Sequence, residues 1–517
     1  MSSLASSKNN TYNIVQKTAA LYEDAAALAV SYMHQHISAI SDGSVTISRA
    51  AQDSAFEVKD VMVDQGADAS LDGVHVRLDR RYKGLKVIGG DSVVHLSPEG
   101  NLTDIDLNLQ QHFDFDVENI STLQSYGNEK HELVIYARDE NVILALDVVK
   151  SGTAADGTPM VIHEIYDVNT NELVTQYSET KTFGPTGWPD APLQDEVEGK
   201  PQLDEYDVLM AGVDCSQAKA VVGTGETMYS GTVDLSTSYE DELYVLKDPL
   251  RNCHYTVDLK EYFNDDDDDT PTDDNEGTLN PDIDNVWGNF SVSDKNTVAA
   301  DAHYGHKATF DYFLETFGHR GVYNSPTKGV YSRVHFGANY ANAFWYNGRM
   351  TYGDGDSEFF GPLACADVVG HELAHGVTEA TANLIYEGES GGLNEATSDI
   401  FGTMIEFFAK DRPYYAPNWL IGEQIIKLSG LFLRSMIRPS DDNVLYPPGY
   451  VSYDCYCPGI EIADVHFSSG VANHFLYLLS EGTTNGIPSK TCDSEDCIYA
   501  TGRGTLTGIG KEKAAQI

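Results

Sequence analysis

The stretch Asp367-Val368-Val369-Gly370-His371-Glu372-Leu373-Ala374-His375-Gly376 constrains this chain more than any other. It carries the pattern H-E-x-x-H. On a helix, positions i and i+4 lie one above the other on the same face. His371 and His375 can then offer two imidazole nitrogens to one metal ion. Glu372, beside them, can reach a water on that metal without being a ligand. The flanking Val368, Val369, Leu373 and Val377 have the apolar spacing of a buried helix, on which histidines are either satisfied core residues or ligands.

Downstream, Gly391-Gly392-Leu393-Asn394-Glu395-Ala396-Thr397-Ser398-Asp399 adds two carboxylates. Glu395 follows the second histidine by 20 positions (395 − 375), and Asp399 lies four further on, on the same helical face. Glu395 is the candidate third ligand. Asp399 can accept the free N–H of a ligand histidine and fix its tautomer. Two histidines and a glutamate leave a fourth position open for water, the pattern of a catalytic rather than a structural zinc.

The run from Val368 to Gly402 resembles the thermolysin-like metallopeptidases, a family that includes the bacterial elastases and vibriolysins. Asn342-Ala343-Phe344-Trp345 and Tyr352-Gly353-Asp354-Gly355-Asp356 resemble the family's substrate edge strand and the loop after it. Leu433-Arg434-Ser435-Met436 resembles its substrate-clamping arginine segment, and Asp464-Val465-His466-Phe467-Ser468-Ser469-Gly470 its second catalytic histidine. These motifs occur in family order. The resemblance implies one catalytic zinc held by His371, His375 and Glu395, with Asp399 behind them and Glu372 as the proton acceptor. It implies Tyr386 and His466 as donors to the oxyanion, with Asp464 orienting His466; Glu461 stands where some members place that carboxylate. Arg434, Asn342 and Ala343 would hold the substrate backbone. Phe359, Leu363, Val368 and Leu433 would line an apolar pocket for the residue after the scissile bond. A structural calcium is implied at Asp367 and Glu406, with the carbonyl of Leu420 and with Glu423; Asn418 stands where an aspartate is usual.

The expected fold class is α+β. Residues 1–45 read as a polar start and a helix over Tyr12–Ile40. Residues 46–115 and 116–182 alternate as antiparallel strands and resemble the two domains of an inhibitory propeptide. Residues 183–214 read as a linker, with maturation cleavage between Thr186 and Thr224. A β-rich lobe, 215–362, precedes the zinc helix and a mainly α-helical lobe, 363–517. Helices are expected over Thr297–Phe317, Leu363–Leu384, Glu395–Lys410, Gln424–Leu431 and Gly470–Ser480. The ending at Ile517, inside a helix-like stretch, reads as a truncated C-terminal lobe.

Composition narrows the partners. Eighty acids against 33 bases give a formal net charge of −47, which repels nucleic acid and anionic membranes. The run Asp265–Asp269 reads as a solvated loop. No apolar window is long enough to span a bilayer, and no signal peptide is visible before Asn10. Of the seven cysteines, Cys215 and Cys253 could pair, as could Cys492 and Cys497, while Cys365 reads as a buried free thiol. Sequons at Asn9, Asn101, Asn119 and Asn289 point to secretion. The expectation is a secreted, monomeric neutral endopeptidase made as a zymogen. It would act on peptides and proteins, prefer bulky apolar residues on the leaving side, and be inhibited by its own propeptide. Two other readings remain. A zinc aminopeptidase would add a Gly-x-Met-Glu-Asn motif, which is absent. An inactive, truncated peptide-binding relative would show loss of Glu372 or of a ligand.

Overall fold

The computed structural model describes residues 24–35, 54–65, 71–107, 130–138, 142–154, 156–185, 215, 218–259, 277–325, 328–337, 339–356, 358–409, 416–444, 451–483, 489–492, 500–502 and 505–517. The chain forms two compact units. The first takes residues 1–150, 162–176 and 324–326; the second takes 151–161, 177–323 and 327–517.

In the first unit, helix α1 (24–35) sets Ala25, Ala29 and Met33 on one stripe at every fourth position. That stripe packs against Phe56, Val61, Val74, Val76, Leu78, Val94 and Leu96. Those are the inward residues of strands β1 (Ser54–Gln65), β2 (Leu71–Tyr82) and β4 (Ser92–Leu96). The remainder of the expected Tyr12–Ile40 helix lies outside the described residues. With β3 (Leu85–Ile88), β5 (Leu102–Leu107), β6 (Lys130–Tyr136), β7 (Ile143–Thr153), β8 (Pro159–Asp167) and β9 (Leu173–Ser178), the strands expected as two separate antiparallel sets share one nine-stranded sheet, in the order β5-β4-β2-β3-β6-β7-β8-β9 with β1 on β2. The join is parallel: β3 (Leu85–Ile88) runs alongside β6 (Lys130–Tyr136). Pairing the two sets covers an edge that each would otherwise expose.

The second unit holds a two-residue strand, β10 (Lys181–Thr182), and two sheets, one of which takes in that strand. One holds β11 (Lys219–Glu226), β12 (Thr232–Glu240), β13 (Leu243–Val245), β16 (Pro281–Asp282) and β17 (Val286–Gly288). The other runs in the order β10-β19-β20-β18-β15-β14, from β14 (Lys247–Asp248), β15 (His254–Asp258), β18 (Tyr331–Phe336), β19 (Ala343–Tyr346) and β20 (Arg349–Gly353). Cys215 and Cys253 form a disulfide that ties the entry of the first sheet to β15. Cys365 is a buried free thiol. Cys455 is also disulfide-bonded. The side chains of Cys492 and Cys497, and the Asp265–Asp269 run, lie outside the described residues.

Helix α2 (Lys295–Phe317) starts where the Asp294 side chain accepts the Asn296 N–H and stops at Gly318, whose φ of 68° suits glycine. Helix α3 (Ala366–Ala380) carries H-E-x-x-H, and every residue of it except Glu379 is buried. Helix α4 (Gly388–Phe408) begins seven residues before the expected Glu395 (395 − 388). Two glycines let α3 and α4 touch. A Cβ on Gly370 would lie 2.8 Å from Ile405 Cδ1, and one on Gly402 would lie 2.5 Å from the Asp367 carbonyl oxygen. The expected helix Gln424–Leu431 does not form. Its backbone is paired across to another segment instead: Gly361 N–H donates to Ile425 O, Lys427 N–H donates to Phe359 O, and Ile426 bridges Phe360. Short helices α5 (Val465–Ser468), α6 (Gly470–Glu481) and α7 (Lys511–Ala514) complete the α-rich lobe. The whole is a mixed α+β architecture, β-rich first and helical towards the end.

Candidate metal centre and substrate groove

His371 and His375 project from the same face of α3, and Glu395 meets them from α4. Among the described residues they are the one group of three metal-binding side chains whose ligand atoms lie within 4.8 Å of one another. The two Nε2 atoms are 2.9 Å apart. Glu395 oxygens lie 3.2 Å from His375 Nε2 and 3.5 Å from His371 Nε2. The other ring nitrogens are committed. His371 Nδ1 faces Asp399 Oδ1 at 2.9 Å, and His375 Nδ1 faces Asn394 Oδ1 at 2.7 Å. Both acceptors require a proton on Nδ1, so both Nε2 atoms present lone pairs. Two lone pairs and a buried carboxylate aimed at one point repel each other unless a cation stands between them. Ligands held about 2.0–2.2 Å from a tetrahedral zinc are separated by about 3.3 Å, the spacing found here. The residues therefore fit zinc.

Electrostatics agree. Burial works to raise the Glu395 carboxyl, but His466, His371 and His375 outweigh it and hold the group well below the usual carboxylate range. Burial lowers His375 to about 4, keeping it neutral and able to ligate. Asp399 serves three partners. It accepts from His371, from Arg434 Nε at 2.8 Å and Nη2 at 2.7 Å, and from Asn473 Nδ2 at 2.8 Å. Glu372 is fully buried, and neither of its oxygens has a hydrogen-bond partner. Burial first, and the Glu395 charge second, push it well above the usual range, with Arg434 opposing.

His466 stands on α5, across from α4. Its Nδ1 meets Asp464 Oδ1 at 2.7 Å, and its Nε2 lies 3.2 Å from the Tyr386 hydroxyl, which donates to Glu395 Oε1 at 2.5 Å. Burial alone would lower this imidazole, but the Glu395 and Asp464 carboxylates carry it up to about 9. The carboxylate that meets His466 is thus Asp464 and not Glu461.

The groove beside these residues is filled by the unit's own chain. β10 pairs antiparallel with the edge strand β19, with Lys181 opposite Trp345 and Thr182 opposite Phe344. The Thr182 carbonyl accepts from His466 Nε2 at 2.8 Å and lies 3.2 Å from the Tyr386 hydroxyl, whose proton goes to Glu395. Phe183 N–H donates to Ala343 O at 3.0 Å. Arg434 Nη1 donates to the Phe183 carbonyl at 2.7 Å. Asn342 takes both sides of Gly184, with Oδ1 on its N–H at 3.1 Å and Nδ2 on its carbonyl at 3.0 Å. The Phe183 ring is fully buried, edge-on to the His371 ring at 5.0 Å and under the Arg434 guanidinium at 5.0 Å. Leu363, Val368 and Leu433 belong to the same buried cluster as Phe183. Phe359 is 45% exposed and outside that cluster, because its backbone is turned by Asp356 in the surface loop.

The calcium candidates do not close into a comparable ligand group. Asp367 Oδ2 accepts from Gly422 N–H, Glu406 Oε1 from Gln424 Nε2, and Asn418 lies between Leu420 N–H and Glu423. Asp367 Oδ1 and Gln424 Oε1 are buried without a hydrogen-bond partner. Asn394, Ser398 and Asn473, which hold His375 and Asp399, escaped the sequence reading. Asn394 and Ser398 recur at i and i+4 on α4, a spacing that places them beside the zinc ligands.

Known proteins resemble this chain in sequence. Residues 222–379 match the thermolysin metallopeptidase catalytic domain, 382–517 its alpha-helical domain, and 61–109 the fungalysin/thermolysin propeptide motif. Bacillolysin of Bacillus cereus is 31% identical, over 96% of this chain and 82% of that protein. This chain belongs to the thermolysin family of metallopeptidases. Another member of that family, the transglutaminase-activating metalloprotease of Streptomyces mobaraensis, is 33% identical over 93% of this chain; the chain spans 58% of that protein's length. The precursor of protealysin, a metalloproteinase of Serratia proteamaculans, is 30% identical over 44% of this chain and 67% of that one, with a TM-score of 0.34. The family character, a zinc metalloendopeptidase carrying a propeptide motif, accords with the three converging ligands above.

Proposed function

We propose that this chain is the zymogen of an extracellular zinc-dependent neutral endopeptidase that prefers a bulky apolar residue on the leaving side of the bond it cuts. The carrying observation is the Lys181–Gly184 segment, which pairs with β19 and sets the carbonyls of Thr182, Phe183 and Gly184 on His466, Arg434 and Asn342. The same segment blocks entry, so the prosegment acts as an intramolecular inhibitor. Full burial of the Phe183 ring contributes about 2–3 kcal/mol to that block.

Zinc at His371, His375 and Glu395 would lower the pKa of a water and polarise the carbonyl of the substrate. The chain's own residues supply the rest. Glu372 is placed to take a proton from water and to return it to the departing amine. His466 donates to the carbonyl oxygen at the position the Thr182 oxygen occupies, and the Tyr386 hydroxyl, 3.2 Å from that oxygen, can turn its proton from Glu395 to it as charge develops there. Arg434 and Asn342 fix the next two residues, and β19 offers backbone pairing that reads chain rather than side chain. The pocket occupied by Phe183 gives the apolar preference. A buried calcium beside α3 belongs to the same reading, supported by the unsatisfied oxygens of Asp367 and Gln424. Secretion is supported by the Cys215–Cys253 disulfide, a bond of oxidising compartments, and by a charge that disfavours nucleic acid and anionic membrane. No helix among the described residues is long and apolar enough to cross a membrane.

Casein hydrolysis by the purified full-length protein, with and without a zinc chelator and beside Glu372→Gln, tests the reading. Activity is expected only in the zinc-replete parent. Full activity in Glu372→Gln, or activity indifferent to the chelator, would refute it.

A further inference from the structure

The segment in the groove is not merely an obstruction; its register is that of a substrate about to be cut. We propose that Thr182–Phe183 is the bond this enzyme first hydrolyses in its own chain, an inference that rests on the peptidase reading above. A blocking segment could cross the groove in reverse, or present a side chain to the metal ligands. This one does neither. The Thr182 carbonyl receives His466 Nε2 at 2.8 Å, and the Tyr386 hydroxyl, whose proton rests on Glu395, stands 3.2 Å from the same oxygen. The next carbonyl, that of Phe183, receives Arg434 at 2.7 Å. The bulky apolar side chain directly after the bond is fully buried, in the same core cluster as Leu363, Val368 and Leu433 and edge-on to the His371 ring. On the other side of the bond, Lys181 Nζ reaches Glu379 Oε2 at 2.8 Å, which fixes the segment from sliding by one residue, since a slip would turn every side chain to the opposite face.

The step balances as simple hydrolysis. Water oxygen adds to the Thr182 carbonyl carbon as Glu372 takes one proton. The C–N bond breaks, the proton goes to the Phe183 nitrogen, and the products are a Thr182 carboxylate and a Phe183 amine. No other reactant is needed. The site lies upstream of the Thr186–Thr224 interval that the sequence favours, so it is a first cut that opens the groove.

The test uses the full chain, held intact by a chelator and then given zinc, and followed by intact mass and N-terminal sequencing. The earliest products should end at Thr182 and begin at Phe183, with a half-time unchanged on about 100-fold dilution, as an intramolecular reaction requires. Phe183→Asp should slow this cut by about tenfold or more, and Phe183→Leu should preserve it. In a Glu372→Gln background, which stays uncut, a fluorescent Lys-Thr-Phe-Gly peptide should bind only when Phe183→Asp is added, a readout independent of turnover. A first cut elsewhere with Thr182–Phe183 left whole, or cleavage of this bond in Glu372→Gln, overturns the proposal. If casein is hydrolysed while this bond stays intact, the proposal fails and the peptidase reading stands; if neither is cut, both fail.

Discussion

One carboxylate, Asp399, joins the His371 imidazole to the Arg434 guanidinium. It holds the His371 imidazole in the tautomer that points Nε2 inward, and it grips Arg434 through two nitrogens. Burial would raise its pKa, but Arg434 and His371 together hold it below the usual range, so it stays charged. Asp399→Asn keeps the shape and loses the charge. Zinc affinity should fall by about 10–100-fold, as when such supporting carboxylates are removed elsewhere. KM should rise as well, because the Arg434 guanidinium loses the partner that aims it. Competition with a chromogenic chelator and initial-rate kinetics read the two effects separately, and unchanged zinc affinity would remove Asp399 from the metal side.

At the scale of elements, the site depends on how closely α3 and α4 cross. Gly402 meets the α3 backbone where a Cβ would come within 2.5 Å of the Asp367 oxygen, and backbone cannot yield as a flexible side chain can. Gly402→Ala should therefore separate the helices, destabilising the fold by about 1–3 kcal/mol and weakening zinc binding with it. Urea unfolding with and without zinc measures both; an unaltered midpoint would show that the crossing has slack. The other decisive element is β10, only two residues long. Its pairing to β19 is invisible in any local pattern, because a strand so short has no period to read.

For the whole molecule, the formal net charge of −47 concentrates like charges, and bound cations offset part of the resulting repulsion. If calcium sits beside α3, adding it at about 100 times its Kd should stabilise the folded protein by about 2.7 kcal/mol and raise the unfolding temperature by several degrees. A melting curve indifferent to calcium, recorded after chelation of contaminating ions, would sink that assignment. The prosegment strands share a sheet rather than forming two separate antiparallel sets, and the join is the parallel β3–β6 pair. Long-range parallel pairing of that kind carries no marker in composition or spacing.

The chemistry is written in local spacing: His371, His375, Glu372, Glu395 and Asp399 announce themselves because helical periodicity converts spacing into a shared face. His466, Tyr386 and Arg434 were legible only through family resemblance, since each is isolated and no local rule brings it to the zinc ligands. Tertiary structure alone decided what occupies the groove. Whether Phe183 is a linker residue or a substrate-like anchor depends on its own contact with Arg434 and on that of Thr182 with His466, 251 and 284 positions away along the chain. It decided the Gln424–Leu431 segment too, where backbone bonds to Phe359 and Gly361 replaced the helix that apolar spacing favoured. Periodicity reports which face of an element is buried, and only packing reports what it is buried against.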